Sequence, residues 1–182
     1  MTREEFVKKY WPVMVSITAG TGIFPEVMMA QSIIESQGNV NGVYMPGQST
    51  LSKLANNYFG IKSSSQWGGQ TVTLKTGEVY NGHPVIVSGI FRKYISPEDS
   101  FIDYVHFLKS NPRYTAAGVF TAKTPQEQSK ALLNAGYATN PSYANMIDAV
   151  AAGIKKYIPA AAAAGGAALI VASLFFLIYK NK

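Results

Sequence analysis

The stretch from Ala30 to Lys62, AQSIIESQGNVNGVYMPGQSTLSKLANNYFGIK, constrains this chain more than any other. An apolar run of helical spacing ends on a carboxylate, Glu35, and a polar, glycine-rich segment follows at once. The chain then re-enters a short helix that closes on Asn57-Tyr58-Phe59-Gly60. Val27, Ala30 and Ile34 share one stripe of the first helix, and Met28, Gln31 and Glu35 share the adjoining one. Glu35 therefore falls at the edge of a core, beside apolar neighbours yet able to face a cleft. A carboxyl group in such a place keeps its proton to higher pH than in water and can donate it. The alternative is a solvated glutamate at a helix end.

Around this stretch the pattern predicts helices, one hairpin, then helices again. Phe6, Tyr10, Val13 and Ile17 mark one face of a helix from Arg3 to Ala19, ended by Gly20-Thr21-Gly22. Pro25 suits the first turn of the next helix, which runs to about Ser36. Gly38 to Thr50 reads as a loop and Leu51 to Asn57 as a short helix. Thr71 to Tyr80 and Val85 to Ile95 are β-rich and joined by Asn81-Gly82, a strong hairpin signal. Ser96 caps a helix reaching Lys109, and further helices are expected from Pro125 to Asn134 and from Pro141 to Tyr157. The expected class is α+β, a mainly helical domain over residues 1–157 with the hairpin as one wall of a groove.

Ala160 to Ile178 is uncharged and rich in Ala, Leu, Ile and Phe, with Tyr157 and Tyr179 at its ends. That length just reaches what a membrane-spanning helix needs, so residues 158–182 are expected to form a C-terminal transmembrane anchor. A buried terminal helix or an Ala-Gly tether is the alternative. Met1 to Trp11 is charged and amphipathic, so no signal peptide is expected there.

Six blocks, AQSIIES, LANNYFGIK, TGE at 76–78, FRKY at 91–94, DSFIDY at 99–104 and GYATNPSYA at 136–144, stand in one order along the chain. In that order and spacing the chain resembles glycoside hydrolase family 73, the bacterial endo-N-acetylglucosaminidases of autolysins and flagellar peptidoglycan hydrolases. The resemblance covers roughly residues 5 to 157. It implies a lysozyme-like fold and a peptidoglycan glycan strand as substrate, with no cofactor. The segment between the first two blocks is longer than is usual in that family. Asn140 stands where the family usually has Asp, which argues against an essential acid at that position.

Glycoside cleavage normally needs one protonated carboxyl for the leaving oxygen and one charged group for water or the oxocarbenium ion. Glu35 is the expected acid on position and on resemblance. The resemblance implies Glu78, in Thr76-Gly77-Glu78, as its partner; a strand-surface glutamate without a role is the alternative. Asp99 and Asp103 compete for that role but read more simply as helix-start and bracing acids. The substrate's own acetamido oxygen can also replace a second carboxylate. Tyr137 matches a cleft tyrosine of the family and is expected to meet the 2-acetamido group. Asn57 and Phe59 supply an amide and an aromatic face suited to a sugar, with a turn amide and a core ring as the alternatives. Trp67 beside Gly68-Gly69 is expected at a further sugar subsite, and Tyr94, with Arg92, on a groove-lining strand face.

The net charge of +6 is compatible with an anionic wall polymer or membrane surface. Nucleic acid is disfavoured, because basic residues gather no more densely than the pairs Lys8-Lys9 and Lys155-Lys156. Without cysteine, disulfides and thiolate metal sites are excluded. His83 and His106 are too isolated to predict a metal site, and no esterase, thiol-peptidase or nucleotide-binding motif occurs. The expectation is a membrane-tethered wall hydrolase, placed in a bacterial envelope or in the membrane of a bacteriophage virion. A lytic transglycosylase or muramidase of the same superfold is the enzymatic alternative. A wall-binding structural membrane protein on an inactive scaffold is the alternative from another class.

Overall fold

The computed structural model describes residues 1–80 and 83–159, without the side chains of residues 78–80 and 84. The Asn81-Gly82 turn and the apolar stretch from Ala160 to Ile178 lie outside the described residues. Among the described residues, no helix is long and apolar enough to cross a membrane.

Helix α1 (Arg3–Thr18) starts on a reciprocal cap, in which the Thr2 hydroxyl accepts from Glu5 N and the Glu5 carboxylate accepts from Thr2 N. It buries Phe6, Val7, Tyr10, Trp11, Met14 and Thr18. This face is rotated from the expected one, leaving Val13 and Ile17 half-buried, because α1 packs on two sides, against α2 and against the fourth helix. Helix α2 (Pro25–Ser36) takes Pro25 in its first turn and is buried from Val27 through Ile33. A helix apolar nearly all round belongs at the centre of a bundle, and the others surround it.

The expected loop after α2 contains a small hairpin, β1 (Gly38–Val40) and β2 (Val43–Met45). Asn41 and Gly42 join the strands at φ 51° and 84°. Both values are positive, as the tight hairpin turn favoured by an Asn-Gly pair requires. Helix α3 (Thr50–Ala55) ends on Asn56 in the left-handed conformation. Strands β3 (Thr71–Tyr80) and β4 (His83–Arg92) pair antiparallel from Thr71↔Arg92 to Tyr80↔His83. Pairing stops at Arg92, short of the expected Ile95, because Tyr94 N turns to donate to the α3 carbonyl of Ala55 at 2.8 Å.

Helix α4 (Pro97–Ser110) begins on a second reciprocal cap between Ser96 and Asp99. A short α5 (Pro112–Ala116), absent from the sequence reading, turns the chain toward α6 (Pro125–Asn134). Helix α7 (Tyr143–Ile154) starts two residues later than expected and tightens into a 3-10 turn, Lys155–Tyr157. The core joins Phe6, Tyr10 and Met14 of α1 to Met28 and Ile33 of α2, Phe101 and Leu108 of α4, and Ile147 and Ile154 of α7. The architecture is α+β and helix-rich, with the long hairpin standing at one side.

Candidate active site

Three separate segments meet at the C-terminal end of α2. The first is α2 itself, which delivers Glu35 in its last turn. What stops the helix there is a backbone clasp: Ser36 O accepts from Gln48 N at 2.9 Å and Ser49 N at 2.8 Å. The Ser36 hydroxyl accepts from Gly47 N at 2.9 Å. Gly38 permits this return, since a Cβ there would lie 2.3 Å from the Gln48 carbonyl oxygen. The β1–β2 excursion is thus folded back onto the helix end, and Glu35 is held on a rigid element.

The second segment is the Asn57–Ile61 turn. Asn57 is fully buried, and its amide is committed to the backbone on both sides. Nδ2 donates to Ile61 O and Arg92 O, each at 2.9 Å, and Oδ1 accepts from Phe59 N at 3.3 Å and Ile61 N at 3.1 Å. Asn57 therefore offers nothing to a sugar. Its work is to shape the turn and tie it to β4, which also pairs with it through Arg92 N to Ile61 O at 3.1 Å. The Phe59 ring is stacked on Tyr104 at 4.0 Å between centroids, so one of its faces is already covered.

The third segment is the stretch into α7. The Tyr137 hydroxyl donates to the Phe59 carbonyl at 3.1 Å, which leaves it able to accept a hydrogen bond but not to give another. The Tyr137 ring stacks on Tyr143, 5.8 Å between centroids and 13° between planes. Tyr143 in turn donates to Glu35 Oε1 at 2.7 Å. The sequence reading gave no role to Tyr143 or to its partner Gln31. A glutamine one helical turn before Glu35 on the same stripe was the available signal for Gln31; its partners are set by packing.

These segments, together with α4 and α5, border a hollow of about 380 Å³, lined by Glu35, Phe59, Gly60, Ile61, Tyr137 and Ala138 and by Phe107 and Tyr114 of the two added helices. Lys62 and Arg113 also line it. Burial pushes the Glu35 carboxyl above its ordinary range, and the hydrogen bond from Tyr143 partly opposes that rise. Burial also drives Tyr137 and Tyr143 upward, so both remain neutral phenols beside it. Among the described side chains, Glu35 is the only carboxylate lining the hollow. The Glu78 side chain lies outside the described residues; its backbone pairs with Val85 in the hairpin. The arrangement can present a neutral carboxylic acid to a bound oxygen atom.

Trp67 and Tyr94 are placed elsewhere. With Asp99, Asp103 and His106 they line a separate hollow of about 220 Å³. Tyr94 is buried and donates to Asp103 Oδ2 at 2.6 Å, while Arg92 Nη1 reaches both Asp103 oxygens at 3.0 and 2.8 Å. The Trp67 indole donates to Gln70 O at 3.0 Å, and the Arg92 guanidinium sits 4.6 Å from its ring centre. Asp103 is therefore a bracing acid, and Asp99 closes the α4 cap. Among the described residues no group of three or more acids and histidines could hold a metal ion.

Residues 11–156 match the glucosaminidase family model, described as mannosyl-glycoprotein endo-beta-N-acetylglucosaminidase. The peptidoglycan hydrolase FlgJ of Vibrio parahaemolyticus is 33% identical over 144 residues, covering 79% of this chain and 45% of that protein. The exo-glucosaminidase LytG of Bacillus subtilis is 32% identical over 138 residues, covering 74% and 44%. The chain thus spans less than half the length of these curated relatives. Among solved structures, the catalytic domain of the autolysin Auto from Listeria monocytogenes superposes with a TM-score of 0.68 at 28% identity, covering 85% of this chain and 86% of that one. A family match over most of the chain, on a fold shared with that autolysin and around a buried acid at the end of α2, identifies this chain as a member of the glucosaminidase family, glycoside hydrolase family 73.

Proposed function

We propose that this domain hydrolyses the β-1,4 bond after N-acetylglucosamine in peptidoglycan, with Glu35 as general acid. The observation that carries the reading is the Glu35 carboxyl itself, biased toward its neutral form by burial and held by Tyr143 at the wall of an open hollow. Its proton passes to the glycosidic oxygen as the bond to the anomeric carbon breaks, so the leaving sugar departs as an alcohol. Tyr137, with its hydrogen already given to Phe59, accepts the acetamido N–H of the sugar beside the scissile bond. Glu78 on the hairpin activates water or balances the oxocarbenium charge. A net charge of +6 favours approach to an anionic wall.

The tail from Ala160 to Ile178 tethers the enzyme to a membrane, in a bacterial envelope or a phage particle. A second reading draws support from Glu35 being the only carboxylate among the described side chains of the hollow. In a lytic transglycosylase one carboxyl serves as acid and then base, and the product is an anhydro sugar.

Mass analysis of fragments released from purified peptidoglycan tests the reading. A reducing N-acetylglucosamine end is expected. Reducing N-acetylmuramic acid would mark a muramidase, and anhydromuramyl ends a transglycosylase. Glu35→Gln conserves shape without the transferable proton, and the loss expected is about a hundred- to ten-thousand-fold. An active Glu35→Gln protein would overturn the assignment.

A further inference from the structure

Behind Glu35 runs a chain of hydrogen bonds that crosses the core and ends there. The Tyr104 hydroxyl on α4 donates to Gln31 Oε1 on α2. Gln31 Nε2 donates to the Tyr143 hydroxyl on α7 at 3.0 Å, and Tyr143 donates to Glu35 Oε1 at 2.7 Å. Gln31 and Tyr104 are wholly buried, and Tyr143 is nearly so.

Each phenol has a single hydrogen, and an amide has distinct donor and acceptor ends. When Glu35 is charged, Tyr143 must donate to it. The Tyr143 oxygen then accepts from Nε2, which turns Oε1 toward Tyr104. When Glu35 is protonated, this order is kept best with the proton on Oε2, since a carboxyl O–H oxygen accepts more weakly than the C=O oxygen. A proton on Oε1 aimed at Tyr143 would require Tyr143 to point back at Gln31, the buried amide to reverse, and Tyr104 to accept. The Tyr104 hydrogen would then have no acceptor among the described residues, since Gln31 is its one partner there. Oε2 is the oxygen nearer Gly60, 4.0 Å from where a Cβ there would sit, and Gly60 lines the hollow.

We propose that Gln31 and Tyr104 are positioning residues, which fix the direction of this chain and thereby keep the transferable proton of Glu35 on the oxygen that faces the substrate. The inference rests on Glu35 acting as general acid, and it assigns a role to two residues that touch no substrate. The titratable groups facing Glu35 are Tyr104, Tyr137 and Tyr143, from α4, the preceding turn and α7. Burial drives all three upward, so none of them titrates in the working range. Lys62 and Arg113 are the other titratable side chains that line the hollow.

The test compares Tyr104→Phe with the double variant Gln31→Met/Tyr104→Phe, following kcat, KM and the pH profile on purified peptidoglycan. Without the Tyr104 hydroxyl, reversal of the amide strands no hydroxyl hydrogen, so Tyr143 can turn to Gln31 and accept from Oε1, and the neutral acid gains a second, misdirected form. The penalty released is worth on the order of tenfold. Its release lowers the productive fraction from about nine-tenths to about one half, so Tyr104→Phe should lose about twofold in kcat with KM little changed. The alkaline limb of its profile should move to higher pH. In the double variant Tyr143 has no amide oxygen to turn to and donates to Glu35 again, so kcat should recover. An unmoved kcat and limb in Tyr104→Phe, or a double variant no more active than Tyr104→Phe, would mean that the two residues only pack, and the inference fails. Should Glu35→Gln remain active, the acid assignment itself fails; an inactive Glu35→Gln with an unmoved Tyr104→Phe defeats the positioning role alone.

Discussion

Asn57→Ala should be among the most destabilising single changes in the chain, though no part of its side chain faces the cleft. The amide makes four bonds to backbone groups and has no exposed surface. Truncation leaves Ile61 O, Arg92 O, Phe59 N and Ile61 N without this partner. Two of them keep or regain some bonding by relaxation of the turn, and two remain unsatisfied at about 1–3 kcal/mol each. With the small cavity, the expected loss is about 3–5 kcal/mol. For a domain of this size that corresponds to a fall in Tm of roughly 8–15 °C. Thermal and urea unfolding followed by circular dichroism would measure it. The same turn carries the Phe59 carbonyl to which Tyr137 is anchored, so the folded fraction of the variant should also bind glycan more weakly. A loss below about 1 kcal/mol, near the floor for one hydrogen bond, would refute the claim that this amide holds the turn to the hairpin.

Glu35→Gln should be more stable than wild type at neutral pH, because the folded-state pKa of Glu35 is raised from 4.5 by burial. Such a group contributes fully below its unfolded pKa and loses that contribution as pH climbs through the raised value, so the gap in Tm should close on acidification below 4.5. A gap independent of pH would contradict the desolvation of this carboxyl. Arg92→Met strands Asp103, whose side chain is only 16% exposed, with Tyr94 as its remaining partner; a cost of about 2–3 kcal/mol is expected. Arg92→Met/Asp103→Leu should recover most of it in chemical denaturation, and failure to recover would mean that the guanidinium acts through Trp67 instead. Truncation after Ile158 should leave a folded, active domain, since Tyr157 and Ile158 are the last described residues packed on the core. Full-length protein should partition into lipid vesicles in flotation assays, whereas the truncated domain should not.

Local chemistry made a large part of the fold legible. Pro25 to Ser36, Thr71 to Tyr80 and Pro125 to Asn134 have the bounds that proline placement and periodicity predict. The β1–β2 hairpin carries a turn signal in Val40-Asn41-Gly42-Val43, but its three-residue strands show almost no alternation to go with it. Glu35 at the edge of an apolar helix could likewise be read from the chain, since burial of a helix face depends on spacing alone.

Side chains that can serve either a ligand or the protein itself were a different matter. Asn57, Trp67 and Tyr94 all have sugar-binding chemistry, yet Asn57 is committed to backbone and the other two brace Arg92 and Asp103 beside a separate hollow. The chain behind Glu35 joins residues 73, 112 and 108 positions apart, from Tyr104 to Gln31 to Tyr143 to Glu35. Periodicity and propensity act over a few residues, so they determined where Glu35 stands on its helix. Which groups surround it, and which of its oxygens can hold a proton toward the cleft, were decided only when α2, α4 and α7 closed on one another. A hydrogen bond in a dry core depends on partners that meet in space, and no local rule of sequence specifies them.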